Sequence, residues 1–500
     1  MNKLTKLILN PFFWLTLILF LGFFVRLYKI DNPIADWHSW RQADTAAVAR
    51  NFYKEGYNPF VPKYDDMSAV SDGFGFNLGR YRFAEFPIYQ SLVYFGYLLN
   101  GGVDEKIARI INVFFSLGSC VFIFLITKKY FSKITALIAS FLYAFLPFNV
   151  YFSRTTLPEP SLVFFSLGMF YFTDRWILHK TKTFFFLGGI FGALAFLIKP
   201  MAIFYVLPLI YLFFTKEKSI FKVSKIYFFY LLAIFLPLAL WRIWINQHPE
   251  GIPASNWLFN GNGIRFRPAF WRWIINDRLG REILSIPGTI LLVIGLLIKP
   301  TGKENLLLHL LAISSFLYLI VFATGNVQHD YYQYMIVPAL VIFVARGFVS
   351  LFRGIPIFLP RIMTIPLAFL FFVLIFILTT NEVKGLYQIN NPAIVIAGQK
   401  ADQLLPKNAV VIAPYFGDTA FLYQTNRYGF PYTPLAIDEL ITRFKTTSYV
   451  SVTYDAKTKW LMKKYTVLDA TPLYVIIDLT KINPDFYKNV KSADDLKEPL

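Results

Sequence analysis

The chain has 500 residues, of which 56% are hydrophobic, 19% aromatic and only 16% charged. A soluble globular protein cannot bury so large an apolar fraction, whereas a lipid bilayer accepts it in several membrane-spanning segments. The composition therefore excludes soluble, disordered and fibrous classes and predicts a polytopic helical membrane protein. The net charge of +19 does not indicate nucleic acid binding, because the basic residues punctuate apolar runs and form no single stripe.

Eleven apolar runs predict transmembrane helices, the first of which we interpret as an uncleaved anchor because no small-residue cleavage site follows it. They cover 9–25, 107–127, 134–152, 160–178, 184–198, 201–215, 226–245, 283–298, 305–324, 331–345 and 362–380. Residues 86–100 are too short to span and are predicted to lie on the membrane surface. Residues 184–215 could be one long helix or a hairpin broken at Lys199-Pro200.

The distribution of charge decides the topology. With a hairpin at 184–215 and a surface helix at 86–100, the short cytoplasmic segments carry sixteen Lys or Arg against two acids. This is the bias of the positive-inside rule. It predicts an integral protein of the cytoplasmic (inner) membrane with its N-terminus inside, and with the loop 29–106 and the tail from 381 outside.

The tail alternates between strand-like and helix-like segments. Strand-like runs lie at 409–414, 449–454 and 473–479, and helix-like stretches lie at 393–405 and 436–445. This alternation is typical of a small α/β domain. We therefore predict a membrane domain over 1–380, whose outer loop 29–106 carries interfacial helices, and an extracytoplasmic α/β domain over 381–500.

The most informative polar stretch follows the first span, at residues 36–60. An alanine-rich segment, 42–53, predicts a helix that places Asp44 on one face with Arg41. A carboxylate held at the membrane surface could act as a general base on a hydroxyl group, and Asp36 is a second candidate. The alternative is that both acids solvate a loop or pair with Arg41 or Arg50.

Three ionisable residues lie at predicted outer turns. Arg154 and Glu159 stand where the chain re-enters lipid, and Lys199 stands at the tip of the hairpin. Charged groups at these depths are costly unless they are paired or hydrated, so they are candidates for a site. The alternatives are helix capping for Glu159 and snorkelling to the interface for Lys199.

Two further groups suit contact with phosphate or sugar. His329 precedes the hydroxyl-bearing rings of Tyr331 and Tyr332, and Arg265 and Arg267 are interleaved with aromatic residues. The alternatives are a surface histidine and an amphipathic interfacial helix near anionic headgroups.

The order of these features resembles that of the GT-C membrane glycosyltransferases. A short anchor, an outer loop with an acidic motif and an Ala49-Arg50-Asn51 helix, the 86–100 segment and the stretch RIINVFFSLGSC…YFSRTTLPEPSLVFF are similar to glycosyltransferase family 39. That group includes protein O-mannosyltransferases and lipid A aminoarabinose transferases. The resemblance covers residues 9–215 and the region 325–345. It implies a GT-C type fold of about eleven transmembrane helices.

The resemblance carries over residue by residue. The family's Asp-Glu pair would fall on Arg41-Gln42, which are not acidic. Asp44 or Asp36 would therefore take over the role of that pair. Asp44 is favoured because it lies on the predicted helix. Glu159 matches the acid that follows the arginine of the second outer turn, and Arg154 matches that arginine. Lys199-Pro200 resembles the family's Lys-Gly-Pro segment, and the His329 segment resembles its His-Tyr motif.

The family uses a polyprenyl-phosphate-linked sugar and transfers it with inversion on the outer face of the membrane. The resemblance implies catalytic roles for Asp44, Asp36 and Glu159, and donor binding by Lys199 and its neighbours. The sugar and the acceptor, a lipid glycan, a cell-envelope polymer or a protein, stay open, as does a divalent metal. Other hypotheses are a lipid-linked glycan flippase or transporter and a non-catalytic scaffold for the tail.

Overall fold

The computed structural model describes residues 9–70, 73–217, 225–300, 306–354, 360–488 and 492–499. The chain divides into two compact units. The helical unit comprises Met1–Ile30, Arg109–Trp244 and Ser255–Leu386, and the sheet unit comprises Asp31–Ala108, Ile245–Ala254 and Tyr387–Leu500. Five lysines of the predicted cytoplasmic set lie outside the described residues, namely Lys3, Lys6, Lys218, Lys222 and Lys303.

The helices of the first half are α1 (Pro11–Val25), α2 (Ser39–Glu55), α3 (Ile88–Asn100), α4 (Glu105–Tyr130), α5 (Lys133–Phe145), α6 (Pro147–Phe152), α7 (Glu159–His179), α8 (Lys182–Ile198), α9 (Ile203–Glu217) and α10 (Lys225–Ile245). The middle of the chain forms α11 (Trp257–Asn260), α12 (Pro268–Trp271), a π-helix (Arg272–Ile283), α13 (Ser285–Leu297), α14 (Leu306–Val321), α15 (Ala323–Gln328), α16 (Val337–Arg353) and α17 (Arg361–Val383).

The remaining elements are α18 (Pro392–Leu404), β1 (Val410–Ile412), α19 (Thr419–Gln424), β2 (Tyr428–Phe430), α20 (Ile437–Phe444), β3 (Ser448–Ser451), α21 (Ala456–Lys464), β4 (Tyr465–Thr471) and β5 (Tyr474–Ile482). Short 3-10 segments include Pro200–Ala202 before α9 and Asp330–Ile336 before α16.

All eleven predicted apolar runs are helical. Four helical segments among the described residues are long and apolar enough to cross a bilayer: Glu105–Tyr130, Lys225–Ile245, Asp330–Arg353 and Arg361–Leu404. The pair Pro268–Ile283 and Ser285–Leu297, bent by 110°, would form a fifth. Shorter apolar helices are Pro11–Val25, Lys133–Phe145, Lys182–Ile198, Pro200–Lys216 and Leu306–Val321. The count of eleven spans therefore stays a prediction.

One predicted run forms two helices. Residues 134–152 divide into α5 and α6 because Pro147 begins the second helix and lacks the N–H that would continue the first. A proline also moves the residue before it out of the helical region, and Leu146 has an extended ψ of 124°.

Glycines allow two helices of the helical unit to touch through their backbones. A Cβ atom on Gly295 of α13 would lie 1.9 Å from the carbonyl oxygen of Phe343 on α16, and one on Gly347 would lie 2.0 Å from that of Leu291. Small residues at helix contacts are the usual means of close packing in membrane proteins.

The sheet unit is built around α2. Its alanines Ala43, Ala46 and Ala47 are buried in one hydrophobic core with Phe421 and Leu422 of α19. Alanine favours the helix and leaves room for a close neighbour. The alanine-rich segment that predicted a helix over 42–53 is thus also the packing face, and the helix prediction is confirmed.

The sheet has the strand order β2-β1-β3-β5-β4. Strand β1 is parallel to β2 and β3, whereas β5 is antiparallel to β3 and β4. A segment of the 31–108 region continues this sheet beyond β2, because Asp66 forms a parallel bridge with Gly429. The amide of Met67 donates to the Gly429 oxygen at 2.8 Å.

The α/β character of the tail is confirmed. The predicted strands at 409–414, 449–454 and 473–479 correspond to β1, β3 and β5, and the predicted helices correspond to α18 and α20. The sheet unit also contains Asp31–Ala108 and Ile245–Ala254, whereas the sequence predicted a boundary at 380. Segments distant in the sequence therefore share one core.

Candidate active site

Asp44 is buried on α2, with 3% of its surface exposed. Its Oδ2 atom is paired with a guanidinium nitrogen of Arg82 at 2.7 Å, and its Oδ1 atom accepts a hydrogen bond from the Thr419 hydroxyl at 2.7 Å. A buried carboxylate is tolerated when a cation and hydrogen bonds replace its water. These two bonds occupy both oxygens and fix the plane of the carboxylate.

Asp36, the other candidate base, lies just before α2 and is fully buried. Its Oδ1 atom accepts a hydrogen bond of 2.7 Å from the side-chain amide of Gln42, which also donates to the carbonyl of Trp37. His38 has a positive φ of 54° at the start of the helix. The left-handed residue turns the chain so that Asp36 lies beside the first turns of α2.

The arginines of α2 have acidic partners outside the helix. Arg41 is paired with Glu85 at 2.6 Å and donates to the Thr45 hydroxyl, and both members of the ion pair are buried. Arg50 is paired with Asp65 and donates to the carbonyl of Tyr423 at 2.8 Å. Asp44 is therefore paired with Arg82, which is not among the partners expected from the sequence.

Two further carboxylates respond to the charge of Asp44. The pKa of Asp66 is raised to about 6, mainly by burial and in part by the negative charge of Asp44, which together outweigh the hydrogen bonds from Ser68. Burial likewise raises the pKa of Asp418 to about 6, with the same contribution from Asp44. The carboxyl groups of Asp66 and Asp418 therefore change protonation state closer to neutral pH than an ordinary aspartate does.

A second cluster lies in the helical unit. Lys199, between α8 and α9, forms a buried ion pair with Glu159 at the start of α7. The Lys199 ammonium lies 5.1 Å from the ring centre of Tyr332 and 6.0 Å from that of Tyr331. The His329 ring is stacked on Tyr331, with 5.4 Å between the ring centres. Residues far apart in sequence therefore meet here, and their role in phosphate binding stays a prediction.

Arg154 is fully buried in the same unit. It donates to the carbonyl oxygen of Lys29 at 2.8 Å, and its guanidinium lies 5.2 Å from the ring centre of Tyr151. Burial of an arginine is costly, so the carbonyl and the aromatic ring partly replace its hydration.

Arg265 and Arg267 differ in their surroundings. Arg265 donates to the carbonyl oxygens of Ile320 and Val321 at the end of α14, at 2.7 and 2.8 Å. A cation at a helix C-terminus also opposes the negative end of the helix dipole. Arg267 is exposed. Within the arginine-rich segment, Arg265 therefore caps the C-terminus of α14.

No group of three or more His, Cys, Asp or Glu side chains is arranged to hold a metal ion among the residues that the structure describes. Asp36 and Asp44 lie in the sheet unit, whereas the cluster around Lys199 lies in the helical unit. That Asp44, Glu159, Lys199 and His329 line a single pocket stays a prediction.

The family model for dolichyl-phosphate-mannose-protein mannosyltransferase matches residues 87–244. The structure of ArnT from Cupriavidus metallidurans in the apo state aligns with a TM-score of 0.65 and 11% identity, covering 93% of this chain and 97% of that chain. The chain has the GT-C glycosyltransferase fold. The resemblance stated from the sequence is thus confirmed at the level of the fold.

Two other GT-C structures agree with this assignment. ArnT from Cupriavidus metallidurans bound to undecaprenyl phosphate aligns with a TM-score of 0.62 and 12% identity, over 93% of this chain and 97% of that one. The apo oligosaccharyltransferase of Archaeoglobus fulgidus aligns with a TM-score of 0.55 and 11% identity, over 90% of this chain and 70% of that one. No curated protein sequence matches the chain.

Sequence reasoning missed three residues of the GT-C chain that contact predicted ones. Arg82 and Thr419 hold Asp44, and Glu85 holds Arg41. The sequence contained one weak signal, because Arg82 and Glu85 are charged residues in the aromatic stretch 81–86. Thr419 lies in the tail and has no local pattern that connects it with Asp44.

Proposed function

We propose that the protein is a membrane glycosyltransferase that moves a sugar from a polyprenyl-phosphate-linked donor to an acceptor hydroxyl, with inversion. The observation that carries the proposal is the fold likeness over 93% of the chain to ArnT, which has been crystallised with undecaprenyl phosphate. The acceptor is a lipid glycan, an envelope polymer or a protein. The donor sugar is a hexose or a pentose, and the experiment below identifies which of the two the protein uses.

The chemistry needs one base and several cations. The acceptor oxygen attacks the anomeric carbon, the bond from that carbon to the phosphate oxygen breaks, and the electron pair leaves with the polyprenyl phosphate. Asp44 takes the hydroxyl proton. The leaving group is already a stable anion, so it requires positive charge more than a proton, and Lys199, Arg154 and His329 are the groups we assign to it.

We further propose that the reaction takes place on the outer face of the cytoplasmic membrane. The supporting observation is the set of exposed lysines at one end of the α7–α10 bundle, namely Lys180, Lys182, Lys216 and Lys225. By the positive-inside rule that end is cytoplasmic. Glu159 and Lys199 lie at the opposite ends of α7 and α8.

The test uses purified protein in liposomes with undecaprenyl-phosphate-linked radiolabelled hexoses and pentoses and a membrane fraction as acceptor. We expect sugar transfer with release of undecaprenyl phosphate, and a loss of about 10²–10⁴ in kcat for Asp44→Asn. Asp469→Asn, at a paired carboxylate elsewhere in the sheet unit, is the control and should retain activity.

Three other results would change the assigned base, the assigned activity or the whole proposal. If Asp44→Asn keeps full activity while Asp36→Asn is inactive, the base is Asp36. Movement of the intact donor across the bilayer without transfer would replace the transferase by a flippase. No reaction with any donor would refute the proposed function.

A further inference from the structure

The tail of the chain reaches the proposed base directly. Helix α19 begins at Thr419, whose hydroxyl lies 2.7 Å from Oδ1 of Asp44 and 3.1 Å from the carbonyl oxygen of Trp40. A hydroxyl has one proton, and a hydrogen bond to a carboxylate is stronger than one to a neutral carbonyl. The Thr419 hydroxyl therefore donates its proton in a hydrogen bond to Asp44. The Thr419 residue is 9% exposed.

The position of Thr419 is fixed by its neighbours. The side chain of Asp418 accepts a hydrogen bond from the Ala420 amide at 2.7 Å and one from the Ser39 hydroxyl at 3.3 Å. The first bond caps α19, and the second ties that cap to the first residue of α2. The hydroxyl of Thr419 is consequently held against the same helix that carries Asp44.

Hydrophobic packing reinforces this position. Phe421 and Leu422, in the first turn and a half of α19, are fully buried in the core that includes Ala43 and Ala47. Moving Thr419 away from Asp44 would require these side chains to leave the core. The hydrogen bond is therefore preorganised.

The two bonds to Asp44 have different consequences. Arg82 supplies charge at Oδ2, whereas Thr419 orients Oδ1, the oxygen without a cationic partner among the contacts of Asp44 described above. We infer that Thr419 is a positioning residue that aims Oδ1 of Asp44 at the acceptor hydroxyl, so that the tail completes the catalytic site. This inference rests on the proposed function of Asp44.

The experiment compares Thr419→Val with Thr419→Ser in the full-length protein, using the liposome assay above across a range of pH. We expect Thr419→Val to lower kcat at least tenfold with little change in KM. We also expect the acidic limb of its pH–rate profile to move up by about one pH unit, the size of one lost charge-assisted hydrogen bond. Thr419→Ser keeps the hydroxyl and should restore both values.

Thr425→Val is the matched control, because Thr425 is also buried and follows the same helix, but its hydroxyl donates to the Leu422 carbonyl. It should leave kcat and the pH profile unchanged. If Thr419→Val keeps the wild-type kcat and pH profile while Asp44→Asn is inactive, the inference is overturned and the proposed function stands. If Asp44→Asn is fully active, the inference is overturned together with the role of Asp44 as the base, while the transferase proposal stands. If the wild type transfers no sugar, both proposals are overturned.

If the Thr419→Val protein does not fold, the comparison of Thr419→Ser with Thr419→Ala tests the inference instead. Alanine lacks the hydroxyl but introduces no bulk, so it should reproduce the shifted pH profile. An unshifted profile in Thr419→Ala would contradict the inference.

Discussion

The Glu159–Lys199 ion pair affects both the stability of the fold and the proposed binding of phosphate. Its side chains are 3% and 12% exposed, so neither charge is well hydrated. Removing one member of a buried pair leaves an uncompensated charge, whereas replacing both members can be nearly neutral. The pair can therefore be dissected by a double replacement.

We expect Lys199→Met to destabilise the protein by about 3–5 kcal/mol, since it strands the Glu159 carboxylate. The double variant Glu159→Gln/Lys199→Met should recover most of that stability and still be inactive, because the ammonium facing Tyr331 and Tyr332 is missing. Thermal unfolding in detergent and the transfer assay measure the two effects. A double variant with wild-type activity would exclude Lys199 from phosphate binding.

At the residue scale, the sequence predicts ionisable groups better than it predicts their partners. Asp44 and Lys199 were identifiable because a charge beside apolar runs has few structural roles. Arg82 and Thr419 were not, because they lie 38 and 375 residues from Asp44 and only the folded chain brings them to it. Arg41 was predicted near Asp44 from helical spacing, but its ion pair is with Glu85.

At the scale of elements, the contact between α13 and α16 depends on two glycines. A Cβ atom on Gly347 would lie 2.0 Å from the Leu291 carbonyl oxygen, which belongs to the backbone of the other helix and cannot rotate away. We expect Gly347→Ala to force the helices apart and to destabilise the protein by about 1–3 kcal/mol, the usual cost of overpacking.

Gly189→Ala is the control for this prediction, because the nearest atom to its added Cβ would be 3.9 Å away, on Tyr230. Its unfolding temperature in detergent should equal or slightly exceed that of the wild type, since alanine favours a helix. Equal unfolding temperatures for Gly347→Ala and the wild type would show that the close contact is not needed.

Elements were predictable where their hydrophobic pattern is long. The apolar runs gave the helices, but their pattern could not reveal the break at Pro147 inside an otherwise uniform segment. Strands β1, β3 and β5 were predicted as strand-like runs, whereas β2 (Tyr428–Phe430) has a central glycine and no β-branched residue. The junction of Asp66 with Gly429 required tertiary structure altogether.

At the scale of the whole molecule, the sheet unit combines segments from three parts of the sequence. Arg50 in α2 illustrates the dependence, because its guanidinium donates to the Tyr423 carbonyl and lies 4.0 Å from the centre of that ring. We expect removal of residues 387–500 to expose the peptide bond after Arg50 to trypsin, which limited proteolysis followed by mass spectrometry would detect.

The control is removal of residues 489–500 alone, which leaves all five strands in place. In that protein the bond after Arg50 should be as resistant as in the full chain. Resistance after the longer truncation would mean that residues 31–108 fold without the tail.

The sheet unit is built from segments that are far apart in the sequence, and this separation determines when the unit can form during synthesis. Residues 31–108 are made long before residues 387–500, and the intervening 278 residues take about 15–60 s at typical translation rates of about 5–20 residues per second. Until then the apolar face of α2 has no core to join, so chaperones have time to bind it. Asp44 acquires its Thr419 contact only when the tail has been translated, and an incomplete chain therefore cannot assemble the site.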